Sequence, residues 1–284
     1  TKKDQVLQQL NQYLFFLKEN SDDEKKAQEK ERIAAFIDQL EQSALDEAFA
    51  ATRIDLCLRL KLASDICSGM IHLHHETSPP IIHRDLKSCN VFLTHPLSEC
   101  SAIERCIEDG SPIAVVGDFG LSIRLVGLSG AHAPEGSWLN RHLNPTWAAP
   151  EILAGQTYAM PSDVYAMGLL LWELLTRSHP FKKAIANNPL FMGQEKKFIL
   201  KGGRPHIEEE LRSQNKEYIE LIEQCWQSDP SQRPSFIEIY GKLVDIAVNQ
   251  KVSKLSKGML EKYEKYESTL LSSNIPSSSS NIPS

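Results

Sequence analysis

The chain has 284 residues, of which 41% are hydrophobic and 24% are charged. This balance is typical of a globular protein and does not fit a fibrous or wholly disordered chain. The formal net charge of -6, without a long run of like charge, argues against nucleic acid as a partner.

Cysteine usage and the chain's start indicate a cytoplasmic protein. Six cysteines stand at positions 57, 67, 89, 100, 106 and 225, with no C-x-x-C pair and no zinc spacing. They predict reduced thiols, buried as small hydrophobic side chains. The first residues, T-K-K-D-Q, lack the apolar core of a secretory signal. The most apolar stretch, residues 164–175, is too short to cross a bilayer, which takes about 20 residues.

The first 42 residues predict two amphipathic helices. In the first, apolar residues recur at helical spacing: Val6, Leu7, Leu10, Tyr13, Leu14 and Leu17. Ser21 and Glu24 form a capping-box pattern that predicts the start of the second helix. The leucines of the first helix could alternatively form a coiled-coil seam for dimerisation, but they span barely two heptads.

A long helix and two short strands are predicted next. Apolar positions from Asp55 to His75 mark the helix. The β-branched runs 90–94 and 113–116 predict two paired strands. The residues between them, 95–112, predict a surface insertion, because a hairpin needs only about 2–5 connecting residues.

Beyond residue 160 the pattern is helical. Glycine or proline pairs predict that helices stop at 202–203, 229–230 and 233–234. The sequence S-S-N-I-P-S occurs twice near the end, at 272–277 and 279–284, and predicts a disordered tail.

Three short motifs stand in a fixed order in the middle of the chain. Residues 83–90, H-R-D-L-K-S-C-N, fit the pattern H-R-D-L-x-x-x-N without a mismatch. D-F-G at 118–120 follows the second predicted strand, and A-P-E stands at 149–151. Each tripeptide alone is weak, but the ordered set in its strand and helix context is specific.

In this order the motifs resemble those of a protein kinase of the tyrosine-kinase-like serine/threonine group. Residues 43–250 are similar to the C-terminal lobe of that fold, with a catalytic loop at 83–90 and an activation segment at 118–151. Residues 162–175 resemble the buried central helix of the lobe, and 229–236 resemble the turn into its last helix.

The resemblance implies a mainly α fold class, within the α+β protein-kinase fold. We expect a C-terminal lobe that contains a short two-stranded sheet. Residues 1–42 would form a helical extension in place of the small N-terminal lobe. Residues 251–284 would form a tail that is helical first and then serine-rich and disordered.

The resemblance also implies a catalytic role for four residues. Asp85 would orient the hydroxyl of a protein substrate and accept its proton. Lys87 would meet the phosphate transferred from ATP, and a lysine here favours serine or threonine over tyrosine as the acceptor. Asn90 and Asp118 would hold the Mg²⁺ ions that accompany ATP.

Other matching residues would be structural or regulatory: His83, Arg84, Phe119, Gly120, Glu151, Asp163 and Arg233. By family resemblance, Asp163 would hold the backbone of the catalytic loop, and Arg233 would pair with Glu151. Arg84 would bind a phosphate on the activation segment. Serines 122, 129 and 137 are the candidate sites for that phosphate.

Two features depart from a simple match. Leu143 and Asn144 stand where the family usually has Gly-Thr, although Asn144 keeps a side chain that can hydrogen-bond. The histidines at 72, 74 and 75 are spaced i, i+2 and i+3, not the i, i+4 of helical zinc sites. We therefore predict structural roles for these histidines.

The small lobe that would cover ATP has no counterpart in the first 42 residues. Five strands, one helix and their connections take roughly 55–60 residues. The sequence contains no G-x-G-x-x-G and no lysine after a V-A-I-like strand. We expect the chain alone to be inactive.

Three explanations stay open for the missing lobe. A truncated kinase, with its small lobe encoded upstream, is favoured because Asp85, Asn90 and Asp118 are all retained. A natural lobe-only protein would be a pseudokinase-like interaction module, with residues 1–42 over the face that the small lobe would occupy. Alternatively, a partner or regulatory chain could supply the lobe.

Overall fold

The computed structural model describes residues 56–94, 113–125, 144–187, 191 and 193–273. The predictions for the two N-terminal helices, the insertion 95–112, the middle of the activation segment and the serine-rich end lie outside these residues. The part that is described is rich in helix and contains two small antiparallel sheets.

The helices and strands of the described part follow one another without long gaps. The α-helices are α1 (Leu56–Ile71), α2 (Pro150–Leu153), α3 (Met160–Thr176), α4 (Lys182–Asn187), α5 (Glu195–Leu200), α6 (Glu209–Gln214), α7 (Lys216–Cys225), α8 (Phe236–Asn249) and α9 (Ser253–Ser273). The strands are β1 (Ile81–Ile82), β2 (Val91–Leu93), β3 (Ala114–Val116) and β4 (Ile123–Arg124). Within these ranges, no helix combines the length and the apolar character that a membrane crossing requires.

The long helix predicted from Asp55 to His75 is confirmed as α1, which one π-helical turn extends over His72–Glu76. Asp65 on α1 connects this helix to the neighbouring strand. Its carboxylate pairs with Lys61 Nζ at 2.7 Å and accepts the backbone N–H of Ala114 at 3.0 Å. The buried helix therefore fixes the position of β3.

The predicted strand pair is confirmed as β2 and β3, which pair antiparallel with Phe92 opposite Val115. A second ribbon, in which β1 pairs with β4, was not predicted. The expectation of one short two-stranded sheet is therefore corrected to two. Strands of two residues are too short to show the alternation that marks a strand in sequence.

The predicted central helix is α3, which lies in the hydrophobic core with most of its residues buried. It packs closely against α7 at Gly168, where an added Cβ would lie 2.9 Å from the Cβ of Cys225. Burial raises the pKa of the Cys225 thiol to about 12 and also raises the pKa of Cys67. Cys89, in contrast to the expectation of buried thiols, is exposed.

The predicted helical start of the tail is confirmed as α9, which packs on α8. The ring of Tyr240 on α8 stacks on Tyr263, with centroids 6.5 Å apart, and meets Tyr266 edge-on at 5.3 Å. Met259 on α9 is buried in the core. At Gly241, an added Cβ would lie 2.8 Å from the Tyr263 ring, so glycine permits this close contact.

We expect Gly241→Ala to lower the free energy of unfolding, although alanine is the better helix former. The new methyl group displaces Tyr263, and such overpacking costs about 1–3 kcal/mol. Gly258→Ala on α9 is the matched control, because an added Cβ there meets nothing within 4 Å. It should stabilise by about 0.5–1 kcal/mol. Urea unfolding of both variants measures the difference, and equal effects would refute the close contact.

Candidate active site

The loop at 83–90 is held by one buried carboxylate on α3. Asp163 accepts the backbone N–H of His83 at 2.8 Å and that of Arg84 at 2.9 Å. Its Oδ2 also lies 2.8 Å from Nε2 of the buried His74. Three groups on two separate segments therefore converge on this carboxylate, and they set where Asp85 begins.

Asp85 lies at the centre of a hydrogen-bond network within the loop. Lys87 Nζ donates to both carboxylate oxygens, at 3.0 Å and 2.8 Å. Asn90 Nδ2 donates to Asp85 Oδ2 at 2.9 Å and to the Asp85 carbonyl oxygen at 2.7 Å. Because Oδ2 accepts two of these bonds and Oδ1 one, Oδ1 keeps the greater capacity to accept a further hydrogen.

The strand pairing brings Asp118 next to this loop. The N–H of Gly117 donates to the Asn90 carbonyl oxygen at 2.9 Å, and the Gly117 carbonyl oxygen lies 3.0 Å from His83 Nε2. Asp118 follows directly with φ 61° and is exposed. Its Oδ1 accepts the N–H of Gly120 at 3.3 Å.

Two residues of the site have left-handed backbone conformations, Arg84 with φ 71° and Asp118 with φ 61°. An arginine in this region is uncommon, because its Cβ crowds the backbone. Such strain costs of order 1–3 kcal/mol, persists only where the surroundings enforce it, and concentrates at active sites. Here the two bonds from Asp163 to the loop supply that enforcement.

Asn90 and Asp118 fit the chemistry of a Mg²⁺ ion. The bonds to Asp85 use Asn90 Nδ2, so the amide oxygen is the atom left for a cation. Mg²⁺ prefers amide and carboxylate oxygens and keeps several waters, so two protein ligands beside a phosphate suffice. The described ranges contain no cluster of three or more histidine, cysteine, aspartate or glutamate residues arranged for a metal.

Arg84 lies beside a small cavity below the activation segment. Its guanidinium is 4.4 Å from the centre of the Tyr158 ring, and within the described part Nε and Nη2 have no hydrogen-bond partner. Burial lowers the pKa of Arg84 and raises the pKa of Tyr158 to about 12. The cavity, of about 30 Å³, can hold a water molecule, and Asn144 also lines it.

Glu151 and Arg233 form a buried ion pair at the far end of the activation segment. Two parallel bonds, at 2.8 Å and 2.7 Å, join the guanidinium to the carboxylate. Ser162 also donates to Glu151, at 3.0 Å, and Arg233 donates to the carbonyl oxygens of Gln227 and Pro161. The pair therefore joins α2, the start of α3 and the turn before α8.

The structure brings together most of the residues singled out in the sequence. Asp85, Lys87 and Asn90 share one network, and His83 joins it to Gly117 and to the ring of Phe119, at 5.3 Å. Asn144 does not contact the loop through a described hydrogen bond; its Oδ1 accepts the N–H of Thr146 at 3.1 Å.

Sequence reasoning missed two contacts of the site. His74 received only an unspecified structural role, although it hydrogen-bonds Asp163 and packs edge-on against Phe236. Tyr158, which lies over Arg84, was not singled out. No local motif marks either residue, because their partners are distant in sequence and meet only in the fold.

The order of these motifs, their shared network and the helical fold define the class: a protein kinase domain. The chain belongs to the protein tyrosine and serine/threonine kinase family, whose model matches residues 11–243.

Three relatives from Dictyostelium discoideum illustrate the similarity. The chain is 40% identical over 190 residues to cyclic GMP-binding protein C. It is 41% identical over 191 residues to probable serine/threonine-protein kinase roco6, and 43% identical over 191 residues to probable serine/threonine-protein kinase pats1. Each alignment covers 66% of this chain but only 6%, 8% and 5% of the respective relative. The chain thus spans less than a tenth of the length of these proteins.

Proposed function

We propose that the chain acts within a serine/threonine protein kinase that transfers the γ-phosphate of ATP to a protein hydroxyl. The observation that carries this proposal is the Asp85 carboxylate, which Lys87 and Asn90 hold in place beside the strand turn that bears Asp118. Two of the relatives are named as serine/threonine-protein kinases, which supports the same acceptor class.

The geometry assigns a role to each side chain. Asp85 Oδ1 would accept the hydrogen of the attacking serine or threonine and so align its oxygen, because phosphoryl transfer depends on positioning more than on covalent help. Lys87 would keep one N–H for a phosphate oxygen while its other bonds hold Asp85. Asn90 Oδ1 and the Asp118 carboxylate would bind Mg²⁺, whose charge offsets that of the phosphates.

A second lobe would complete the site. The sequence lacks the glycine-rich clamp and the ATP-pairing lysine that the resemblance requires. We propose that another part of the same protein, or a partner chain, supplies them. The boundary between residues 1–42 and the lobe at 43–250 also stays a proposal.

We propose that Arg84 makes the site responsive to phosphorylation of the activation segment. A buried guanidinium with two unpaired N–H groups is stabilised by an anion, and a phosphate provides both charge and acceptors. Ser122 is the described candidate; its hydroxyl donates to the Phe119 carbonyl oxygen at 2.8 Å. The cytoplasm, inferred from the cysteine pattern, is the proposed location.

Reconstitution with a small lobe tests the proposal. The chain alone should transfer no labelled phosphate from ATP to a mixture of serine- and threonine-containing peptides. Adding the separately expressed small lobe of a related serine/threonine kinase should produce Mg²⁺-dependent transfer. Asp85→Asn should reduce this rate by at least about 100-fold, because it removes the group that accepts the proton.

Cys89→Ser is the matched control within the same loop, because this side chain is exposed and takes no part in the Asp85 network. Its reconstituted rate should stay within about threefold of the unmodified chain. Transfer that Asp85→Asn leaves unchanged would contradict the proposed role. Absence of both transfer and Mg²⁺-dependent nucleotide binding in the reconstituted complex would favour an interaction module instead.

A further inference from the structure

One side of the β2–β3 ribbon is apolar and exposed. Phe92 and Val115 lie directly opposite each other in the register, so their side chains point to the same side. Ile113 stands two residues before Val115 and faces the same way. These three side chains, here termed the ribbon face, are 56%, 47% and 46% exposed, respectively, for Phe92, Val115 and Ile113.

The opposite side of the ribbon is already in use. Val116 is buried and lies against α1, where an added Cβ on Gly69 would be 3.4 Å from it. The ribbon face therefore cannot turn inward, because a change of register would expose the buried side instead. Continuous exposed apolar surface on a folded domain marks a contact surface. No helix or strand of the described ranges covers it.

We propose that residues 6–17 of this same chain form an amphipathic helix that covers the ribbon face. Their apolar positions, from Val6 to Leu17, fall on one side of a helix. A helix of this length is ~18 Å long, and two paired strands lie ~4.8 Å apart, so it can cross both. The family match starts at residue 11, which places part of this segment within the kinase domain.

The chain's own connectivity favours this occupant over a second copy of the protein. Residues 18–55 lead from the segment into α1, the helix that lies under β3. A connection of this length can reach any point on the lobe. Because both surfaces belong to one molecule, their effective concentration is in the millimolar range, which a separate copy reaches only in concentrated solution.

Hydrogen–deuterium exchange on the full 284-residue chain, without nucleotide, tests the contact. Peptides that cover residues 6–17 should exchange at least about tenfold more slowly than an unstructured peptide. Phe92→Asp should abolish this protection, because it puts a charge in the apolar contact. Val248→Asp is the matched control: Val248 is 52% exposed, like Phe92, but lies on α8, and its replacement should leave the protection intact.

The reciprocal experiment changes the segment and measures the ribbon face. Leu14→Asp should raise the rate of hydroxyl-radical labelling of Phe92 severalfold, whereas Gln12→Asp, on the opposite side of the predicted helix, should not. An unprotected segment, or protection that survives Phe92→Asp, overturns the proposal. Protection that appears only as the protein concentration rises, together with dimers in sedimentation, assigns the face to a second copy and also overturns it. These readouts require no phosphoryl transfer, so they are independent of the kinase proposal.

Discussion

Arg233→Met is expected to lower the free energy of unfolding by about 3–5 kcal/mol, the largest effect on stability that we predict. The substitution leaves the buried Glu151 carboxylate without its two parallel bonds, and it also removes donors from the Gln227 and Pro161 carbonyl oxygens. The side chains of the pair are 0% and 7% exposed, so water cannot replace the lost contacts. Urea unfolding followed by circular dichroism measures the change.

The control for this prediction is an exposed ion pair of similar geometry. Arg212 and Glu223 lie 2.7 Å apart, but each side chain is 41% exposed. Arg212→Met should therefore cost no more than about 1 kcal/mol. The double variant Arg233→Met/Glu151→Met should recover part of the loss, because two apolar side chains leave no buried charge. Equal effects of Arg233→Met and Arg212→Met would show that burial does not determine the strength of the pair.

Asp163→Asn should loosen the catalytic loop while leaving the rest of α3 in place. The asparagine has one acceptor oxygen, so one of the N–H groups of His83 and Arg84 loses its partner. Each buried group left unpaired costs about 1–3 kcal/mol. The strained φ of Arg84 then loses part of its support. Deuterium exchange at residues 83 and 84 should become at least about tenfold faster.

Asp229→Asn provides a comparison for the same chemical change. Asp229 also accepts a backbone N–H, from Ser231 at 2.9 Å, but it lies on the exposed turn before α8. Its replacement should leave exchange at residues 83 and 84 unchanged. If Asp163→Asn had no more effect on the loop than Asp229→Asn, the loop would be positioned by its own internal bonds and not by α3.

These two predictions concern different supports of the same site. The Glu151–Arg233 pair anchors the end of the activation segment, and Asp163 anchors the catalytic loop. Both connect to the first turns of α3, since Ser162 bonds Glu151 and Asp163 follows it directly. The start of this buried helix therefore positions the two segments between which a substrate would bind.

Local sequence patterns were sufficient for the long elements. Helical spacing predicted α1, and β-branched runs on either side of the insertion predicted β2 and β3. The β1–β4 ribbon escaped prediction, because two-residue strands exist only where the folded loop brings Ile81–Ile82 beside Ile123–Arg124. The extent of a short strand thus depends on its partner and not on its own residues.

The amino-acid sequence alone identified the family and the residues at 85, 87, 90 and 118, because their chemistry demands particular side chains at set spacings. Only the tertiary structure could place His74 on Asp163, leave Arg84 with unpaired N–H groups beside Tyr158, and turn Phe92 and Val115 outward. These features join residues that are far apart in the chain. Burial and hydrogen-bond geometry, which a linear pattern does not contain, decide them.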